Sequence, residues 1–204
     1  MKACSLAVIL VGCLLLSMPT AWAESSSEPS TNHLADFGKL YAVQWGFYLI
    51  AQGDAVRDHG SFKNWYDHML EPHFDNDNLE YNVVKHSFAG SYYFLYYRWR
   101  GNARKEAFLW TVASSLAFEF TIETVSEQPS YQDIFITPMF GTALGIALDN
   151  TSAFLVRQPD KLSRGLGYLL NPFNLFTDTT KPPTAAVSPV IRKDYFGAIA
   201  EWRF

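Results

Sequence analysis

Four residues have the side chains and the setting for chemistry: His86, Glu119, Glu123 and Asp133. The three acids lie in a stretch from Ala113 to Gly145 that is otherwise largely apolar and aromatic. A carboxylate in such company is costly to bury unless it is paired, protonated or bound to a cation. Ser115, Glu119, Glu123 and Glu127 step by four, so on a helix they share one slowly drifting face. Two chemistries fit. In one, Glu119 or Glu123 acts as general base, with His86 as acid or metal ligand. Arg98 would then hold a phosphate, and Ser130 would serve at most as a weak nucleophile or a binding group. In the other, the four residues form a satisfied polar network that fixes helix register and catalyses nothing.

The elements that must position these residues are read as helices. Asn82, His86 and Gly90 fall four apart and precede six aromatic residues between Tyr92 and Trp99, with Gly101-Asn102 as the stop. A strand over Ser91–Arg100 competes, since aromatics favour strands and the run matches an outer-membrane crossing. Strict alternation fails at Tyr92-Tyr93-Phe94-Leu95, which favours the helix. Ala103 to Ser126 is the strongest helical segment, ended by Pro129. Ser130 to Asp133 and Thr137-Pro138 each carry a helix-start signal. Asp133, Thr137, Gly141 and Gly145 form a second four-residue ladder, and Gly90, Gly141 and Gly145 are expected to let helix backbones approach closely. Short connections make these three helices antiparallel neighbours, with His86, Glu119, Glu123 and Asp133 between them.

Earlier in the chain, Phe37–Ile50 reads as a helix and 58–82 as a solvated loop with capping carboxylates. The histidines at 59, 68 and 73 match no established metal-ligand spacing. Later, 160–170 reads as a short amphipathic helix, 177–189 as a loose loop, and 191–204 as a lone strand-like tail whose alternating aromatics end on Phe204. The expected fold is mainly α: a compact, membrane-associated bundle of about four to five helices with a C-terminal β-like tail. A small outer-membrane β-barrel is the alternative. The expected divisions are a signal peptide at 1–23, a flexible tether at 24–36, a helical domain at 37–176 and the tail at 177–204.

The residues Asn82, His86, Gly90-Ser91, Arg98, Ser115, Glu119, Glu123, Pro129-Ser130, Asp133, Thr137-Pro138, Gly141 and Gly145, in that order, resemble an uncharacterised bacterial envelope family, domain-of-unknown-function family 3943. The resemblance covers about 74–156, and its Pro-Ser-x-x-Asp-x-x-x-Thr-Pro element is fairly specific. Three positions depart from the family pattern: His86-Ser87 in place of His-Pro, Phe118-Glu119-Phe120 in place of Trp-Glu-Tyr, and Gly145-Ile146 in place of Gly-Glu. The order of these groups is also similar, more distantly, to VanZ-like helical membrane proteins. Both resemblances imply an α-helical, membrane-associated protein with polar residues gathered between helices. Neither supplies a reaction.

Composition narrows the partners. The start, with Lys2, an apolar run from Leu6 to Leu16 and Ala21-Trp22-Ala23, has the parts of a secretory signal. Leu10-Val11-Gly12-Cys13 also fits a lipoprotein box. Both cysteines, Cys4 and Cys13, lie in this leader, so cleavage after Ala23 leaves a chain without disulfides. It also leaves 15 basic against 20 acidic side chains, a poor match for nucleic acid. No motif requires a cofactor; there is no Gly-x-Ser-x-Gly elbow, phosphate-binding glycine loop or His-Glu-x-x-His pair. Membrane lipid is the expected partner, and the periplasmic side of the envelope, in association with the outer membrane, the expected location. The reading divides between a structural or lipid-interacting envelope protein and a hydrolase or transferase acting on a lipid or cell-wall precursor. Intact mass of the expressed protein should correspond to a chain starting at Glu24; an acylated Cys13 at the N-terminus would overturn that cleavage.

Overall fold

The computed structural model describes residues 32–74, 78, 82–176, 185–192 and 195–202. Asn32 caps α1 (His33–Ala51), its side chain accepting the Ala35 N–H at 3.0 Å. After a break at Gln52 come α2 (Gly53–His59) and α3 (Phe62–Met69). These two helices replace the first part of the solvated loop expected over 58–82. Ser61 accounts for α3, because its hydroxyl caps the Asn64 N–H at 3.0 Å. Of the rest of that expected loop, residues 75–77 and 79–81 lie outside the described residues.

The centre of the protein is built from three further helices. A π-helical turn (Asn82–His86) leads into α4 (Ser87–Trp99), which Gly101 ends with φ 87°, a left-handed backbone that suits glycine. Next is α5 (Arg104–Ala117), opened by Glu106 accepting the Ala103 N–H at 3.1 Å. It does not run regularly to Ser126: a π turn (Phe118–Ile122) and a 3-10 turn (Glu123–Val125) follow it. Ser130 caps α6 (Tyr131–Val156), a single helix that carries Pro138 in its interior instead of restarting there. The short α7 (Lys161–Leu170) begins at its Asp160 cap and packs on α6 through the Ser152 hydroxyl, which donates to Gly167 O at 2.6 Å.

At the C-terminus, β1 (Ala185–Arg192) pairs antiparallel with β2 (Tyr195–Trp202), from Ala185 opposite Trp202 to Arg192 opposite Tyr195. The expected tail is therefore not a lone strand, and part of the expected loop is β1. Val187, Val190 and Ile191 favour the extended backbone, and Pro189 is tolerated because both strands of an isolated hairpin are edges. The barrel alternative is not supported. Helices occupy nearly all of 82–176, whereas even a small barrel needs about eight strands. The fold is a mainly helical bundle with this β tail.

The closest packing is between α4 and α6, and glycines permit it. A Cβ added to Gly141 would lie 2.5 Å from Gly90 Cα, and one added to Gly90 would lie 1.9 Å from the Thr137 carbonyl oxygen. One turn further along α6, Phe94 fills the space beside Gly145, where a Cβ would meet its ring at 2.8 Å. The apolar core continues through Phe94, Tyr97, Leu40, Ala107 and Ile146. Around it the helices are linked by buried polar bonds, including Tyr97 Oη to Ser114 Oγ at 2.7 Å and the Gln44 amide donating to Ser114 O at 3.1 Å.

Gly141→Ala should destabilise the protein by on the order of 1–3 kcal/mol or more, because two backbones must separate to admit the methyl group. Gly46→Ala on the outer face of α1, where nothing lies within 4 Å of the new Cβ, should be neutral or slightly stabilising. Chemical denaturation of the two variants side by side checks the contrast.

Candidate functional site

The crossing of α4 and α6 sets His86 against the first two turns of α6. Its Nδ1 is 3.1 Å from Thr137 Oγ1, and its Nε2 is 3.4 Å from Asp133 Oδ1. Asp133 is held in the first turn, where its N–H donates to the Ser130 hydroxyl at 3.3 Å. Glu119 enters from the π turn after α5, is 1 % exposed, and accepts the Ser130 backbone N–H through Oε2 at 3.3 Å. Donor atoms of His86, Glu119 and Asp133 all lie within 4.8 Å of one another. Glu123 completes the group through a side-chain hydrogen bond with Glu119.

Electrostatics within the group are one-sided. Burial, reinforced by the Glu123 and Asp133 carboxylates and by the Glu123 hydrogen bond, pushes the Glu119 carboxyl well above the usual carboxylate range; the Ser130 N–H opposes the shift. The same two glutamates bear on Tyr93. Burial first, eased by a hydrogen bond with Gln44 and then raised by Glu119 and Glu123, brings its hydroxyl to about 12. The centre is thus a buried glutamate with a half-buried one beside it and a neutral phenol close by. His86 is its more open member, with 18 % of its side chain exposed.

Both His86 and Glu119 stand on π-helical turns. Such turns disturb the i to i−4 ladder and occur frequently at functional sites. Here the segment that carries Glu119 is tied down from outside. Trp65 Nε1 donates to Thr121 O at 3.0 Å, His68 Nδ1 meets Thr124 O at 3.0 Å, and the Tyr48 hydroxyl reaches Glu123 O at 3.4 Å. Tyr41 adds a hydroxyl contact with Thr121 Oγ1 at 2.7 Å. Trp65 and His68, from α3, occupy carbonyls that an irregular turn leaves over, whereas Glu123 O also accepts the Ser126 and Glu127 N–H groups. Trp65 and His68 were not among the expected site residues; three apart on a helix, they share a face, but nothing local shows what that face meets.

The four expected residues His86, Glu119, Glu123 and Asp133 meet, and Ser130 joins them through its backbone. Arg98 does not. It lies twelve residues beyond His86 along α4, roughly 18 Å away at about 1.5 Å per residue. There its guanidinium donates to Asn102 O at 2.7 Å and faces Asp149 at 3.5 Å. Gly90, Gly141 and Gly145 all lie at the α4–α6 contact.

Residues 71–173, half of the chain, match the family model described as Domain of unknown function (DUF3943). The chain belongs to this family. No curated protein and no solved structure matches it. The DUF3943 match spans α4, α5, α6 and α7, so every member of the cluster falls inside it. Of the elements that tie down the Glu119 segment, α1 and α3 lie outside it.

Glu119→Ala should cost about 2–4 kcal/mol by leaving a cavity and stranding the Ser130 N–H, whereas Glu119→Gln, which keeps the shape and a neutral acceptor, should cost within about 1 kcal/mol. The pH dependence has a definite sign. The folded-state pKa of Glu119 is raised, so its contribution is fully present below its unperturbed value near 4.5 and is lost as pH rises through the raised value. Denaturation in EDTA-containing buffer across that window should show the decline in the wild type and a flatter profile in Glu119→Gln.

Proposed function

We propose that the protein is a membrane-associated helical protein of the bacterial cell envelope, lying against lipid with its outer faces and keeping its polar groups inside. The observation that carries this reading is the inverted distribution of side chains. Among the described residues, 23 large hydrophobic side chains are exposed, while buried polar or charged residues outnumber buried hydrophobic ones by 16 to 10. Single exposed apolar residues are ordinary in soluble monomers, whereas apolar residues recurring along the outer faces of several helices mark an interaction surface.

The inversion is clear on single helices. In α1, Asp36, Leu40, Gln44 and Tyr48 point inward, while Val43, Phe47 and Ile50 are 65 %, 73 % and 86 % exposed. Outward apolar residues recur on the central helices as Phe88 and Tyr92, Leu109 and Leu116, and Phe135 and Met139. Helix α6 is by length and composition apolar enough to cross a membrane, with 33 % of its most apolar window buried. Inside, neighbouring helices are joined by small residues and hydroxyl groups, as suits packing where lipid supplies no hydrophobic drive. The expected leader supports delivery to the envelope, and the low charge of the chain supports lipid over nucleic acid as partner.

A second reading, hydrolysis or group transfer on a lipid or cell-wall precursor, is favoured by one observation. The partly open His86 stands beside Glu119 and Asp133, both buried, an arrangement that supplies an acid and a base within one small site. In this reading Arg98 binds no phosphate at the cluster, because it lies at the far end of α4.

Flotation with phosphatidylethanolamine–phosphatidylglycerol vesicles tests the main reading. The full chain should float with the vesicles, and the triple variant Val43→Asp, Phe47→Asp, Ile50→Asp should partition at least about tenfold less, given about 1.5–3 kcal/mol for each apolar side chain withdrawn from water. A wild-type chain that stays monomeric in detergent-free buffer and ignores the vesicles would refute the proposal.

A further inference from the structure

We infer that His86 Nε2, a carboxylate oxygen of Glu119 and a carboxylate oxygen of Asp133 bind one divalent transition-metal ion at the junction of α4, α6 and the π turn after α5. The donor atoms come from three separate elements and converge to within 4.8 Å of one another. Adjacent ligands on an ion with bonds of about 2.0–2.2 Å stand roughly 3–4 Å apart, so small side-chain rotations close the set. The 3.4 Å between His86 Nε2 and Asp133 Oδ1 already falls in that range. One imidazole with two carboxylates suits a borderline ion such as Zn2+ or Mn2+ better than a soft one.

The surroundings support the same assignment. A metal-bound histidine characteristically donates its other ring N–H to a neighbouring acceptor, which fixes the tautomer. Thr137 Oγ1 stands at that position, 3.1 Å from Nδ1, so the Nδ1–H tautomer turns the Nε2 lone pair toward the Asp133 carboxylate. In that tautomer an ion bound by Nε2 and the carboxylate would stand where a proton on Nε2 otherwise lies. Glu119 has an outer partner in Glu123, and its second fixed contact is a backbone N–H, so its carboxylate is oriented from behind. The exposed edge of His86 leaves a side of the ion open to water or a ligand.

The experiment uses the full chain in mild detergent, stripped with EDTA and titrated with Zn2+ by calorimetry and with Co2+ by visible absorption. We expect saturation at one ion per chain and a Co2+ ligand-field band. His86→Ala and Glu119→Gln should each abolish both signals while the far-ultraviolet circular dichroism stays helical. Thr137→Val should weaken binding by about 10- to 100-fold, the usual cost of losing an outer partner. Glu119→Gln is the deciding variant, since it keeps the fold-stabilising shape. Failure to saturate at one equivalent, or unchanged binding in His86→Ala and Glu119→Gln, overturns the site. Vesicle flotation of Glu119→Gln should match the wild type, so loss of the metal site and loss of membrane association are read separately.

Discussion

The backbone contact between Gly90 and Gly141 is the constraint on which the rest of the structure depends. It brings α4 and α6 so close that the turn before Gly90 and the two turns before Gly141 share one small volume. His86 therefore faces Asp133 and Thr137, and the Ser130 cap is placed to meet Glu119. Wider spacing would leave each group to water or to an apolar neighbour. The approach is stabilised by apolar contact around Phe94 and by hydroxyl groups, so the geometry of the polar centre follows from the smallest residues in the fold.

A second constraint acts on Glu119. A regular helix from Ala103 to Ser126 would keep its carbonyls paired internally and would carry Ser115, Glu119 and Glu123 round in steady steps. The π and 3-10 turns interrupt this progression, and the carbonyls of Thr121 and Thr124 are taken by Trp65 and His68. The first three helices thus do more than cover the bundle. They supply the hydrogen bonds that make an irregular segment tolerable inside it.

Much of the centre was legible in the sequence because its signals are local. Ser130 and Asp133 sit at cap spacing, the glycines repeat every four residues, and acids within an apolar helix require polar company. What escaped depends on contacts distant in the chain. The polar composition after Asp58 reads as loop because α3 buries only part of one face, and its partners are backbone carbonyls more than fifty residues away. Arg98 looked like a phosphate ligand because a lone arginine among aromatics has no evident partner; Asp149, which faces it, lies 51 positions later. The π turns carry no composition of their own. The run to Ser126 therefore read as one helix, and β1 was obscured by Pro189 within a stretch of small residues.

The hydrogen bonds that hold the first helices to the Glu119 segment also set an order of assembly. Tyr41 to Thr121 closes a loop of 80 residues, Gln44 to Ser114 one of 70, and Trp65 to Thr121 one of 56, whereas Tyr97 to Ser114 spans 17. Closure entropy rises with loop length, so the hairpin of α4 and α5 forms early and the N-terminal arm docks late. Contacts made last and across long loops are also among the cheapest to open, so slow amide exchange should mark α4–α6 and faster exchange the arm. The segment bearing Glu119 sits on the boundary between these two units, its regular helical start belonging to the early one and its irregular end waiting for the late one.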